Sequence, residues 1–218
     1  MINDIKMGFK LMKHGLQFKT SLVAVILLIL GGVLTEMGDG VIPLSGFSFV
    51  MAAIMVYQLV QSITCSTMVQ SSTKKKRLQT SVSAICTGIC VIILNTVLVI
   101  VKLISMYVNN KSISTVASWC IMDSIFILAV LVYMSAAMKM YWGATIGFGL
   151  LGGAYGIWMS SMAQGTPWLE IPVSLGGAIA ISYLSVLVGC ASMYLISLAT
   201  YKREFSKTTF DSQLKRVK

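Results

Sequence analysis

The chain has 218 residues, 56% of them hydrophobic and only 11% charged, and its mean hydropathy is +0.84. Soluble domains carry about 25% charged residues, so an ordinary globular domain is excluded; the composition predicts an all-α polytopic membrane protein whose spans each need about 20 mainly apolar residues. The net charge of +10 is confined to a few short segments, which predicts orientation in a membrane and no nucleic-acid partner.

At the start, Ile2, Ile5, Phe9, Met12 and Leu16 recur at steps of three and four, with Lys6, Lys10 and Lys13 on another face. This pattern predicts an amphipathic interfacial helix over residues 1–18, its lysines near anionic headgroups of membrane lipid; the plainer alternative is a basic topology anchor. A six-helix transmembrane domain over 19–201 and a basic cytoplasmic tail over 202–218 follow. The apolar runs are Leu16 to Thr35, Pro43 to Ser66, Ser81 to Met106, Thr115 to Met138, Tyr141 to Met162 and Pro172 to Ala199. They are long and continuous, unlike the alternating segments of about ten residues in a transmembrane barrel. The first run ends in Thr35, Glu36 and Met37 with no small-x-small cleavage site, which predicts a span and not a signal peptide.

Of the 17 Lys and Arg residues, all but Lys102 and Lys111 fall on one side of this arrangement. By the positive-inside rule that side is the cytoplasm, so both termini are expected there, in a multi-pass protein of the cell membrane. The uncharged stretch from Val41 to Thr73 is longer than a span requires, so the second helix is expected to project into the cytoplasm. The basic turn at Lys74, Lys75, Lys76 and Arg77 then either docks a soluble partner or simply holds the loop inside.

Two ionisable residues fall within spans, Lys102 and Asp123, at similar depth on either side of one connection. A charge in a span costs several kcal/mol unless it is paired or hydrated. The two are expected to form an intramembrane ion pair or to face a shared aqueous cavity. In the fifth run, Gly143, Gly147, Gly149, Gly152, Gly153 and Gly156 include several four-residue steps, which allow close helix approach within the chain or at a subunit interface. The connection from Ala163 to Gly177, with Gly165, Pro167, Trp168, Glu170 and Pro172, fits either a short broken helix dipping into the membrane or an ordinary loop.

Chemistry-bearing motifs are absent: no His-Glu-x-x-His, no Gly-x-Ser-x-Gly, no phosphate-binding Gly-x-x-x-x-Gly-Lys, and one histidine, His14. Cys65, Cys86, Cys90, Cys120 and Cys190 lie in or beside apolar runs and read as reduced packing residues. The chain is expected to be non-catalytic, with no cofactor or metal of its own.

The lead-in at Ile2 to Phe18, six spans with both ends inside, the basic turn at Lys74 to Arg77 and the region Gly165 to Gly177 together resemble the permease subunit of an ABC-2 type (type V) ABC transporter, in the small Gram-positive bacterial form. The resemblance covers nearly the whole chain and lies in architecture and order, not in a diagnostic motif. It implies a dimer with a second permease subunit and separate cytoplasmic ABC ATPase subunits that carry ATP and Mg. It further implies ATPase docking at Ile5, Phe9, Met12, Ser71, Lys74, Lys75, Lys76 and Arg77. The cargo path would run past Tyr57, Gln58, Gln61, Phe148 and Tyr155, carrying an amphipathic or hydrophobic cargo such as an antimicrobial peptide, a lipid or a drug. A non-transporting membrane scaffold or immunity protein is the alternative, followed by an ion-coupled secondary carrier.

Overall fold

A computed structural model of the protein describes residues 2–13, 18–38, 44–64, 67–163 and 173–208. Among them there is no strand. The helices are α1 (Ile2–Lys13), α2 (Phe18–Met37), α3 (Leu44–Thr64), the single turns α4 (Thr67–Gln70) and α5 (Lys75–Arg77), α6 (Ser83–Val108), α7 (Ile113–Ala137), α8 (Tyr141–Ala163) and α9 (Leu175–Ala199). Each apolar run in the sequence has become one long helix.

Among the described residues, four helical stretches are long and apolar enough to cross a membrane: Phe18–Met37, Lys75–Val108, Ile113–Ala137 and Leu175–Ala199. In α3 the apolar part is the shorter Ser45–Gln61. In α8, glycine, serine and interfacial aromatics dilute the apolar residues over 23 positions. The exposed side chains fit lipid as the surrounding medium: Leu27, Leu34, Ile93, Ile146, Leu150, Leu184 and Leu195 are all exposed on helix surfaces, where hydrocarbon and not water is the favourable neighbour.

One π turn, Leu78–Val82, joins α5 to α6, so helix runs without a break for 34 residues from Lys75 to Val108. At 1.5 Å per residue this is about 51 Å, well beyond a hydrocarbon core of about 30 Å. The long continuous helix therefore lies after the basic segment, and residues 65 and 66, between α3 and α4, lie outside the described residues.

Within the bundle, α7 packs most extensively on α9, and α2 on α3; α6 bridges α3 and α9, while α8 leans on α7. Close approach is enabled at two glycines. A Cβ on Gly189 would lie 2.7 Å from Leu131 Cδ1, and one on Gly32 would lie 2.9 Å from the Phe49 ring. Polar pairs tie α6 to α9: Ser182 Oγ donates to Asn95 Oδ1 at 2.9 Å, and the Thr96 and Tyr183 hydroxyls lie 2.9 Å apart. The six glycines of α8 are different, since a Cβ at any of them would meet nothing within 4 Å.

Helix α1 lies against α3, α6 and the π turn. Gly8 is buried there, its missing Cβ leaving room for Cys86 Sγ and Val82 Cγ1 at 2.5 and 2.9 Å, and Met12 enters the core at 7% exposure. Phe9, Lys6, Lys10 and Lys13 remain exposed. The amphipathic lead-in thus uses one flank to hold the bundle and leaves another outward.

Ser112 caps α7 by accepting from Thr115 N at 3.2 Å, and Ser174 caps α9 by accepting from Gly177 N at 3.2 Å; such caps satisfy otherwise unpaired backbone donors. Between α6 and α7, Asn110 adopts φ 49°, a left-handed conformation that asparagine tolerates in tight turns. Cys86, Cys90, Cys120 and Cys190 are free thiols. Cys65, His14, the segment 164–172 and the tail from 209 onward lie outside the described residues.

Replacing Gly189 with valine should force Leu131 aside and destabilise the fold by about 1–3 kcal/mol, whereas Gly147→Ala, which meets open space, should be neutral or stabilise by up to about 1 kcal/mol. Thermal melting of the two variants in detergent checks this, and equal shifts would refute the packing assignment.

Candidate functional site

Near the α6–α7 connection, five helices contribute to one buried polar cluster. Lys102 of α6 and Asp123 of α7 are 2% and 1% exposed, and Lys102 Nζ stands 2.9 Å from Asp123 Oδ2. The expected intramembrane ion pair is therefore present. A second carboxylate joins it: Glu36, at the end of α2, lies 4.0 Å from Lys102 Nζ through Oε2 and 3.1 Å from Lys111 Nζ through Oε1. Two cations face two carboxylates, which is how a low-dielectric interior tolerates ions.

Hydrogen bonds complete the cluster. Ser45 of α3 donates to Glu36 Oε2, Ser105 Oγ donates to the Glu36 carbonyl at 2.9 Å, and Tyr155 of α8 donates to Asp123 Oδ1 at 3.1 Å. The Trp119 ring lies 5.9 Å from Lys102 Nζ, within reach of a cation–π attraction. At Gly46 an added Cβ would fall on the Asp123 carboxylate, so only glycine admits that group at this point of α3. Lys102 Nζ and Asp123 Oδ2 meet each other as an ion pair, with no further hydrogen-bond partner among the described residues. Chemically it can join helices and balance charge, but it offers no free nucleophile.

At the opposite end of the bundle the polar groups are neutral. Gln61 of α3 donates through Nε2 to Tyr57 OH at 2.9 Å and to Ser83 Oγ at 2.8 Å, while Thr64 Oγ1 donates to Gln61 Oε1 at 2.7 Å. A small pocket opens beside this group, lined among others by Tyr57, Gln61, Gln79, Ser135, Lys139 and Phe205. A second small, apolar pocket lies under α1, between Gly8, Met12, Val60 and Leu78.

The residues expected on a cargo path are divided between two places. Tyr57 and Gln61 are buried at the pocket beside Gln79, with Gln58 half-buried on the same helix. Phe148 and Tyr155 belong instead to an aromatic stack against α7. Tyr133 and Phe148 centroids are 4.4 Å apart, Phe126 and Tyr155 4.1 Å, and Phe126 and Phe148 5.9 Å. Tyr155 further spends its hydroxyl on Asp123. Of the expected docking residues, Phe9, Ser71, Lys74, Lys76 and Arg77 are exposed, and Ile5 and Lys75 half-exposed. Met12 is buried, so a partner at this face would meet Phe9 and not Met12.

Glu36, Ser45, Gly46, Ser105, Lys111 and Trp119 are the members that sequence reasoning missed. Glu36 looked like a residue of an external loop because it borders an apolar run. The available signal was its place at the same end of the bundle as Lys102, where Asp123 was the one acid assigned to it. Among the described residues no group of three or more His, Cys, Asp or Glu side chains is arranged to hold a metal. Comparison with protein-family models, curated proteins and solved structures gives no match.

Removing one partner of a buried ion pair typically costs about 3–5 kcal/mol, whereas replacing both with apolar residues is often near neutral. Lys102→Met should therefore lower the amount of folded protein sharply, and adding Asp123→Leu should restore much of it. Size-exclusion profiles and melting temperatures of the three forms decide this; a double variant no better than the single would show that the pair is not the source of the cost.

Proposed function

We propose that this chain is the membrane subunit of an ABC-2 type exporter in the cell membrane. On this reading α2, α3, α6, α7, α8 and α9 are six spans, both termini face the cytoplasm, and a second permease subunit completes the assembly. ATP with Mg is hydrolysed on separate cytoplasmic ATPase subunits. The cargo is amphipathic or hydrophobic, passing beside Tyr57, Gln58 and Gln61 of α3.

One observation carries this reading: two elements far apart in the sequence form one surface. Helix α1 packs directly on the π turn that follows the basic segment, with Gly8 against Val82. Phe9, Lys10, Ser71, Lys74, Lys76 and Arg77 are all exposed on these two elements. Exposed cations with an apolar member suit a soluble partner better than lipid alone, because complementary charge steers and orients association. The long helix that begins at Lys75 would lift this surface clear of the headgroups.

An ion-coupled carrier is the second reading, and the buried Glu36–Lys102–Asp123 group favours it, since ionisable residues inside spans often mark ion pathways. The pairing of those charges with one another at one end of the bundle supports the exporter. Transport abolished by Asp123→Asn together with dependence on a proton or sodium gradient would support the carrier.

Affinity purification of the intact chain should bring down a stoichiometric ATPase. Reversing charge with Lys76→Glu and Arg77→Glu should reduce its recovery about tenfold, the effect of losing roughly 1.4 kcal/mol of binding, with the membrane chain still present and folded. A well-folded chain that brings no ATPase would overturn the exporter reading.

A further inference from the structure

Past α9 the chain forms a strap across the end of the bundle. It turns at Thr200, whose carbonyl accepts from Arg203 N at 2.9 Å, and reaches the end of α7, where Ser206 N donates to the Met138 carbonyl at 3.1 Å. Phe205 is the one residue of 201–207 that packs on the core, and it lines the same small pocket as Tyr57, Gln61, Gln79 and Ser135. Lys139 holds it there, with Nζ 3.7 Å from the Phe205 ring centroid and donating to the Arg203 carbonyl at 2.7 Å.

What the strap covers is polar. Tyr57, Gln61, Gln79 and Ser135 come from α3, the π turn and α7, and all four are buried. The pocket among them has room for about one water, so Phe205 closes over side chains that nearly fill the space. Gln79 is left in an awkward state: neither its Nε2 nor its Oε1 has a hydrogen-bond partner among the described residues, although buried carboxamides are almost always satisfied. With the strap down, that amide is shut away from solvent. With the strap lifted, water can reach it, so the closed form carries a penalty that opening removes.

The fastenings are few. Residues 201–206 form no helix or strand, and Lys202, Arg203 and Glu204 are exposed. The side-chain bonds of the strap, from Lys139 to the Arg203 carbonyl and from Arg203 Nη1 to Met140 Sδ at 3.1 Å, lie at the surface, and a thioether sulfur is a weak acceptor. Segments with few buried apolar contacts and surface hydrogen bonds open at small free energies while the core stays folded.

We propose that 201–207 is a lid, with Phe205 as its plug and Lys139 as its latch, and that lifting it opens the polar space between α3, the π turn, α7 and α9 to solvent. The motion is confined to the strap, because α7 and α9 pack extensively on one another. The lid does not depend on the exporter reading; on that reading it would also gate the approach to Tyr57 and Gln61.

The test uses the full chain in lipid nanodiscs with Ser135→Cys as the reporter. A small sulfonated methanethiosulfonate labels it, and peptide-resolved mass spectrometry separates position 135 from the native cysteines. Where opening is fast, labelling of a buried site follows the population of the open form, so Phe205→Ala should speed it about tenfold. Gln79→Leu removes the unmet amide from the closed form and should slow labelling several-fold. Tyr107→Ala, which truncates an exposed aromatic at the far end of α6, should leave the rate unchanged. Equal speeding by Phe205→Ala and Tyr107→Ala, or a rate that neither Phe205→Ala nor Gln79→Leu moves, would overturn the lid. Should Ser135→Cys fail to fold, hydrogen–deuterium exchange on the chain without the reporter gives the second reading. Phe205→Ala should then speed exchange at Ser206 while α9 keeps its protection; no change at Ser206, or an equal loss in α9, would overturn the proposal.

Discussion

A lysine and an aspartate 2.9 Å apart, almost wholly withdrawn from solvent, set the terms for the rest of the bundle. Isolated ions in such a place are expensive, and the expense falls only when protein groups take over the role of water. Every helix that reaches the cluster is consequently held in one rotation and one depth. Glu36 fixes the end of α2, Ser45 and Gly46 fix the start of α3, and Tyr155 fixes the C-terminal half of α8. Because lipid supplies no hydrophobic preference for helix against helix, such polar constraints and close packing must supply specificity that a soluble core would gain from burial alone.

The two ends of the bundle solve different problems. At the charged end the groups neutralise one another and leave no opening. At the opposite end amides and hydroxyls surround a small pocket that Lys139 also lines. Helix α7 links the two. It carries Asp123 and Trp119 at one end and Ser135 at the other, and between them Phe126 and Tyr133 receive the aromatic side chains of α8. Helix α8 is attached mainly through that stack and one hydrogen bond, while its glycines face outward with nothing beside them. With α2 it is among the least enclosed of the long helices.

Much of this was legible in the sequence, for identifiable reasons. Long apolar runs can satisfy their backbone only as helices in lipid, so the helices appear where hydropathy places them, to within a few residues at their ends. Lys102 and Asp123 stood out because charges are rare inside spans. What stayed hidden depends on three-dimensional proximity. Glu36 bordered a run and gave no sign that it turns inward. Gln79 looked like an ordinary polar residue after a basic turn, because a π turn leaves no mark in composition. Tyr155 was legible as an aromatic on a glycine-rich helix, but not as the donor to Asp123. Gly46 has meaning only once the carboxylate that fills its side is known.

The inward turn of Glu36 also has a meaning in time. Synthesis delivers α2 and α3 to the membrane well before α6 and α7, so this carboxylate enters with Ser45 as its local companion and waits for Lys102. Lys102 in turn waits for Asp123, and Asp123 for Tyr155. Each newly made segment thus resolves a charge left open by an earlier one, and a nascent chain halted midway carries an uncompensated ion in the bilayer. An ion without its partner is costly in lipid, so the cluster ties the placement of each of these helices to that of the others.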